Sequence, residues 1–174
     1  FAVDQHKPAH IPDDVPAFRL VDKLGDERIT SEKLEEAATL ALCWSRAWAG
    51  GGAHGTVYSV KPAQVSKTAQ TGEYVGKGSF IVRGQRQWFK DLDVQIGIGI
   101  VAINGVPLLM GGMPETIRSI CQRFAILRPG LTKKEQLANR IYKNTGLMTD
   151  DVLPVLPGAA EIIEDYGIFS PVKT

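Results

Sequence analysis

Positively charged and aromatic residues are concentrated in one part of the sequence, between Tyr58 and Lys90. The cations are Lys61, Lys67, Lys77, Arg83, Arg86 and Lys90. These six cations and the single acid Glu73 give a local net charge of +5, in a chain whose net charge is only +1. The rings are Tyr58, Tyr74, Phe80, Trp88 and Phe89. Because cations neutralise phosphates and exposed rings stack on unpaired bases, at about 1–3 kcal/mol per base, this mixture predicts RNA binding. The alternative, from composition alone, is a solvated basic face over an aromatic core.

Residue types that bind metals occur close together at the N-terminus. They are Asp4, His6, His10, Asp13 and Asp14. Prolines interrupt this segment, so its residues share no helical or strand register, and the His-Glu-x-x-His spacing of zinc enzymes is absent from the sequence. A solvated polar terminus is the favoured interpretation and a metal-dependent enzyme the alternative. We predict no metal site.

Two glycine-containing segments are candidates for anion binding. The Gly72–Gly78 segment does not fit a phosphate-binding P-loop, because Lys77 is followed by glycine and the spacing of its glycines is wrong. Gly111 and Gly112 precede Pro114 and offer N–H groups to an anion, although the proline removes one donor. The spacing of the histidines supports no Ser-His-Asp or Cys-His arrangement. We therefore expect no catalytic residues, no cofactor and no enzyme activity.

The length and composition fit one domain with its own core. The chain has 174 residues, of which 44% are apolar, and this content suffices for a core without metals or disulfides. Cys43 and Cys121 lie far apart in helix-like segments, so we expect free, reduced and buried thiols. No run reaches the roughly 18 apolar residues that cross a bilayer, and the N-terminus lacks the pattern of a signal peptide. We expect a cytoplasmic protein without membrane contact.

A long helix is predicted after an irregular N-terminal segment. Residues 1–16, which contain prolines, are expected to be irregular, and residues 17–174 to form the domain. The helix is expected to begin at a cap on Thr30 or Ser31, with acidic residues in its first turns, and to end at Gly50. Its predicted buried stripe is Leu34, Ala37, Ala41, Trp44 and Trp48.

Strands are predicted mainly in the middle of the chain. Runs typical of strands are Ala17–Val21, Thr56–Val60, Ser79–Arg83 and Ala125–Leu127. The clearest period of two is formed by Val94, Ile96, Ile98 and Ile100. Asn104-Gly105 then predicts a tight hairpin turn into Val106–Met110.

Two further helices complete the predicted fold. Pro114 is expected to begin one of them. Thr132 and Glu135 have the spacing of a capping box for the other, which is expected to end at Gly146. The second helix is predicted to bury Leu137, Ala138 and Ile141. Strands in the middle with helices on either side predict an α+β fold, a single domain with a mixed or largely antiparallel sheet covered by helices.

Several short motifs follow one another in the same part of the chain. They are Glu36–Ala38, Cys43–Trp48, Val60–Lys67, Gly72–Tyr74 and Lys77–Gly84. In their order and spacing they resemble the RNA-binding domain of NFACT proteins, in its archaeal and eukaryotic branch. Looser landmarks, among them Arg128–Gly130 and Leu156–Gly158, extend the resemblance over about residues 30–165.

The resemblance implies a role in ribosome-associated quality control. A full-length NFACT protein binds the large ribosomal subunit that carries a stalled, tRNA-linked nascent chain, and it recruits charged tRNA. The ribosome itself forms the peptide bonds, so this domain is expected to contribute binding. The implied partners are tRNA, the large ribosomal subunit and other domains of the same longer polypeptide. The alternative is a protein-interaction or scaffold domain without direct RNA contact.

The residues expected to contact RNA occupy the matching motif positions and the segment just after them. They are Lys61, Gln64, Ser66, Lys67, Lys77, Arg83, Arg86 and Trp88. The polar and charged residues are assigned to phosphate and sugar contacts, and Trp88 to stacking on a base. A structural role is the alternative, in which Gln64 and Ser66 cap backbone groups and the glycines of the motifs permit turns.

The chain departs from the family's pattern at several positions. Where the family usually has a tryptophan, a proline and an asparagine, this chain has Ser59, Gln70 and Gln87. The loss of the tryptophan removes one candidate for stacking. Asp4 and His6 weakly match a His-x-Asp-x-His motif whose first histidine is Ala2 here. On that alignment we expect the domain's first strands to precede Phe1 in a longer protein.

Overall fold

In a computed structural model, the structure describes residues 2–3, 30–77 and 80–171. The helices are α1 Ser31–Cys43, α2 Arg46–Ala49, α3 Pro114–Ile120, α4 Lys134–Thr145 and α5 Thr149–Val152. The strands are β1 Ala2–Val3, β2 His54–Ser59, β3 Val65–Ser66, β4 Ile81–Val82, β5 Gln87–Asp93, β6 Ile96–Ile103, β7 Val106–Gly112, β8 Phe124–Thr132 and β9 Ala160–Tyr166. The α+β prediction is confirmed. Ala2 and Val3, in the segment predicted to be irregular, instead form β1, which pairs with β2. The rest of that segment and the predicted strand Ala17–Val21 lie outside the described residues.

The described strands form three antiparallel sheets. One has the order β1-β2-β5, the second pairs β3 with β4, and the third has the order β7-β6-β8-β9. The predicted period of two is confirmed in β6, where Ile96 and Ile98 are fully buried in the main core. Asn104 and Gly105, with φ of 52° and 77°, form the predicted turn into β7.

The opposite face of β6 is closed by α3. A Cβ atom added at Gly97 would lie 2.7 Å from the Cβ of Ile117, and one added at Gly99 would lie 2.4 Å from the Sγ of Cys121. Glycine is therefore required at both positions for the helix to approach the strand so closely. Both faces of this part of the sheet are buried as a result, one against α3 and the other in the main core, to which α1 and α4 also contribute buried residues.

The predicted helix from Thr30 to Gly50 is wrong in one respect, because it is two helices. The hydroxyl of Ser45 donates to the carbonyl of Leu42 at 2.7 Å and accepts from the N–H of Ala47 at 3.1 Å. A serine that bonds to the backbone in this way competes with the helical hydrogen bonds, so α1 ends and α2 begins. The buried residues around this break are Ala38, Ala41, Leu42, Cys43 and Trp48. Of the predicted stripe, Leu34, Ala37 and Trp44 are only half-buried.

In the second half of the domain, one capping prediction is wrong and one strand was not predicted. Thr132 is the last residue of β8, and the N-cap of α4 is Lys133, which makes no capping hydrogen bond with its side chain. The predicted burial on α4 and the left-handed stop at Gly146, with φ of 79°, are confirmed. Strand β9, missed by the sequence patterns, pairs with β8 along the sheet edge.

Cys43 and Cys121 are free and buried, as predicted. Burial raises the pKa of the Cys43 thiol from 9.0 to about 12, and burial also raises the pKa of Cys121. Among the described helices, none has the length and apolar content needed to cross a membrane.

Candidate nucleic-acid interface

The first part of the candidate site lies on the β2–β5 pair. Tyr58 on β2 is directly opposite Trp88 on β5. Their ring centroids are 5.3 Å apart and the ring planes are tilted by 59°. The neighbouring pair, Val57 and Phe89, packs with the core, so the alternation of the strands turns Tyr58 and Trp88 to the outer face. Trp88 is 45% exposed there.

Arg86 completes this outer cluster. Its guanidinium carbon lies over the Tyr58 ring, 5.0 Å from the ring centroid. A cation over an aromatic face is attracted by the ring's negative charge density. The cluster of Tyr58, Arg86 and Trp88, called the ring cluster below, thus combines a cation with two aromatic rings on one surface.

The second part of the site is organised by the side chain of Gln64. Its carbonyl oxygen accepts from the N–H of Lys61 at 2.9 Å. Its amide nitrogen donates to the carbonyls of Arg83 and Gln85 at 2.9 and 2.6 Å. The side chain of Gln64 therefore joins Lys61, which precedes β3, to Arg83 and Gln85, which follow β4. This set of three bonds is called the Gln64 clamp below. It places Lys61 beside the segment that leads into the ring cluster.

Gly84 is required for the Gln64 clamp. Its φ is +83°, a left-handed conformation that side chains rarely adopt. A Cβ atom at this position would also lie 3.1 Å from the amide nitrogen of Gln64. A glycine between the two clamped carbonyls therefore meets both the backbone and the space requirements.

The β3–β4 hairpin carries a second cation on a ring. Val65 pairs with Val82 and Ser66 with Ile81. The next residues outward are Lys67, which is exposed, and Phe80, and the Lys67 ammonium lies 4.8 Å from the Phe80 ring centroid. The pairing of β3 with β4 thus brings Lys67 and Phe80 close to each other.

Ser66 and Arg83 are engaged within the protein. The Ser66 hydroxyl accepts from the N–H of Thr68 at 3.0 Å, which stabilises a local turn. Arg83 donates through both terminal nitrogens to Glu73, at 2.7 and 3.3 Å. Glu73 also accepts from the N–H of Gln70 at 2.9 Å, so the arginine anchors the long loop between β3 and β4. The contacts of Ser66 and Gln64 with backbone groups match the structural alternative that the sequence left open, whereas the ion pair of Arg83 was not predicted.

Four lysines of this region have positive charges that no described carboxylate neutralises in a salt bridge. Lys61, Lys67, Lys77 and Lys90 form no salt bridge with any residue that the structure describes. All four are exposed. The Arg83–Glu73 pair cancels internally, so these lysines and Arg86 account for the local excess of positive charge. Such an unneutralised cluster creates a field that attracts polyanions.

The site residues are not all equally close to one another. The Gln64 clamp joins Lys61, Gln64 and Arg83, and Arg86 follows directly after the clamped Gln85. Lys67 is joined to Phe80 across the hairpin. Lys77 lies in the loop between β3 and β4, and none of the contacts given above includes its side chain.

Three aromatic residues in the β2–β5 region of the chain were absent from the predicted site. Tyr58 and Phe80 each lie under a cation, and Tyr74 in the long loop is 85% exposed. Their aromatic character was visible in the sequence, but the cation partners of Tyr58 and Phe80 were not, because each cation and its ring belong to different strands or loops.

Within the described residues, no group of three or more His, Cys, Asp and Glu residues could hold a metal ion. The N-terminal set from Asp4 to Asp14 lies outside those residues.

Known proteins resemble this chain over the region just described. Residues 5–84 match the family described as the NFACT protein RNA binding domain. The archaeal Rqc2 homolog aRqcH of Methanocaldococcus jannaschii is 32% identical over 151 residues, which is 84% of this chain and 22% of that protein. The ribosome quality control complex subunit NEMF of Homo sapiens is 39% identical over 75 residues, which is 43% of this chain and 7% of that protein.

A third relative shows the same partial coverage. The NEMF homolog of Drosophila melanogaster is 36% identical over 75 residues, 43% of this chain and 8% of that protein. The chain thus spans about a fifth of the archaeal relative and less than a tenth of the animal ones. No solved structure matches it. Because residues 5–84 match that family and the archaeal relative is 32% identical over 84% of this chain, the chain belongs to the NFACT protein RNA-binding domain family.

Proposed function

We propose that this domain binds tRNA as part of a cytoplasmic ribosome quality control factor that acts on stalled large-subunit complexes. Its contribution is binding and not catalysis. The observation that carries the proposal is the pairing of cations with aromatic rings at two places, where the exposed Lys67 lies on Phe80 and the half-buried Arg86 lies on Tyr58. The family and the named relatives in ribosome quality control support the same role.

The cations act on the phosphate backbone. Lys61 and Arg86 lie next to the bonds of the Gln64 clamp, and Lys67 lies on the β3–β4 hairpin, so we expect an RNA strand that follows this surface to meet several positive charges in succession. Each phosphate contact releases counterions, and the affinity then falls as salt is added. Trp88 supplies a flat apolar ring beside these charges, which suits a base.

The test uses two double variants with the same change in charge. Lys61→Glu with Lys67→Glu reverses two cations of the site, whereas Lys133→Glu with Lys143→Glu reverses two exposed cations near and on α4. Arg83 is left intact, because its replacement would release Glu73 and alter the loop. We expect the first pair to weaken tRNA binding at least tenfold and to lower the slope of log affinity against log salt by about 0.7–0.9 per lost contact.

The control pair should change tRNA affinity less than twofold. Fluorescence anisotropy with labelled tRNA, at salt concentrations from 50 to 300 mM, gives both quantities, and thermal unfolding checks that each variant is folded. Equal tRNA affinity in the parent and the Lys61/Lys67 variant would contradict the proposal. Equal weakening by both pairs would reduce it to general charge attraction.

A protein-binding role is the second candidate. The hairpin β6–β7 extends beyond the residues that pair with β8 and exposes Ile103 and Val106, which are 56% and 55% accessible. Exposed apolar residues of this kind mark interaction surfaces. A protein partner, either ribosomal or another domain of the same polypeptide, is favoured if Ile103→Ser with Val106→Ser abolishes ribosome association while tRNA binding stays at the parental value.

A further inference from the structure

One nitrogen of the ring cluster has no partner among the described residues. The Nε of Arg86 is buried and makes no hydrogen bond there, although the guanidinium of the same side chain lies over the Tyr58 ring. Buried donors are almost always paired in proteins, so an unpaired one needs an explanation. The free energy lost at this nitrogen offsets the gain from the contact between cation and ring.

We infer that Tyr58 and Trp88 form a binding site for an unpaired nucleobase, and that the Arg86 guanidinium occupies the place of that base on Tyr58 while RNA is absent. The inference rests on the proposed RNA-binding function and adds the class of ligand. The guanidinium is flat and stacks on aromatic faces, as a base does. Displaced by a base, it can donate to a phosphate through charge-assisted hydrogen bonds and so pair its free donors.

The geometry of the rings favours an unpaired base over a duplex. The 59° tilt means that Tyr58 and Trp88 do not stack face to face, so each ring keeps at least one flat face that the other does not cover. Inside a duplex the faces of a base are covered by its neighbours, whereas a base in a single strand can lie on a protein ring. Trp88 on the surface is therefore accessible to single strands, loops and ends.

The charges beside Trp88 are arranged to hold the backbone of such a strand. Alternate residues of a strand share one face, so Lys90 lies on the same side of β5 as Trp88. Arg86 lies two residues before Trp88, and Lys90, which is exposed, two residues after it. A base on the Trp88 ring thus has a cation on either side for its flanking phosphates.

The experiment compares single-stranded and duplex RNA on the full chain. The probes are labelled ten-nucleotide oligouridine and oligoadenosine strands and a blunt ten-base-pair duplex, measured by fluorescence anisotropy. We expect Trp88→Ala to weaken binding of the single strands about tenfold and of the duplex less than twofold. Trp88→Phe keeps a ring and should retain the single-strand affinity within about threefold.

Tryptophan fluorescence provides a second measurement. Single strands should quench the fluorescence of the parent by stacking on Trp88, and the quench should be absent in Trp88→Phe, which still binds. Trp44 and Trp48 remain in that variant and report that the fold is intact. Arg86→Ala should lower the salt slope for single strands by about 0.7, because one phosphate contact is lost.

The outcomes separate this inference from the proposed function. Absence of salt-dependent tRNA binding by the parent overturns both. Salt-dependent tRNA binding together with unchanged single-strand affinity in Trp88→Ala, or with equal losses on single strand and duplex, overturns the base site alone. Unlabelled tRNA and large-subunit ribosomal RNA, used as competitors of the single strand, identify which RNA supplies the base, and failure of both to compete also overturns it.

Discussion

Replacing Gln64 by alanine removes the side chain that joins Lys61 to Arg83 and Gln85 in the candidate interface. The carbonyl of its amide holds the N–H of Lys61, and the nitrogen holds the carbonyls of Arg83 and Gln85. The backbone of the same residue also accepts from the N–H of Arg83 at 2.8 Å, and alanine keeps that bond. The substitution therefore isolates what the three side-chain bonds contribute.

The expected magnitude follows from the number of bonds and their exposure. A hydrogen bond contributes about 0.5–1.5 kcal/mol net, so three give an upper limit of about 4.5 kcal/mol. Gln64 is half-buried, and water can replace part of what is lost. We expect the local opening free energy to fall by about 1.5–2 kcal/mol, which makes amide exchange about 10- to 30-fold faster.

The assay is native-state hydrogen exchange resolved by residue. The N–H of Arg83 should exchange about 10- to 30-fold faster in Gln64→Ala, while the amides in the buried part of β6 keep their parental rates. Gln64→Glu adds a sharper comparison. A carboxylate can still accept from Lys61 but cannot donate, so it faces two carbonyl oxygens and should destabilise the loops more than alanine does.

Because the clamped segments become less ordered, we expect both Gln64→Ala and Gln64→Glu to bind tRNA more weakly than the parent. Unchanged exchange at Arg83 in Gln64→Ala would refute the reasoning, because the Gln64 clamp would then contribute no stability. Parental exchange in Gln64→Glu, combined with weak tRNA binding, would instead assign Gln64 to direct contact with RNA.

Two further predictions concern the core. Gly99→Ala would place a Cβ 2.4 Å from the Cys121 Sγ, so we expect about 1–3 kcal/mol lower unfolding free energy in urea. Gly52→Ala, whose nearest contact would be an ordinary 3.6 Å, should change it by less than about 1 kcal/mol, and equal effects would refute this packing. Because burial raises the pKa of Cys43 from 9.0 to about 12, its thiol contributes stability that is fully present below pH 9 and is lost as pH rises toward 12. Cys43→Ala should therefore make the decline in unfolding free energy over this range less steep, and identical slopes would contradict the assignment.

The local features of this fold were predictable because they depend on neighbouring residues. Alternation in β6 reports which face is buried, and Asn104-Gly105 has the conformations that a tight turn needs. Gly146 ends α4 for the same kind of reason. Strand β5 was not predicted, since its inner residues, Phe89 and Leu92, are three positions apart and show no period of two. The strand is irregular between them, at Asp91, where φ is 54°. Strand β9 was missed as well, and its pairing with β8 is a contact across the sheet.

The sequence by itself determined the family, the basic and aromatic composition of the interface, and the identity of its cations. The tertiary structure decided which of these residues are available to RNA. It turned Gln64 inward to the backbone and paired Arg83 with Glu73, and it placed Arg86 on Tyr58. The physical reason is that hydrogen bonds, ion pairs and ring contacts depend on which chain segments meet in space, whereas periodicity and spacing report only what lies nearby along the chain.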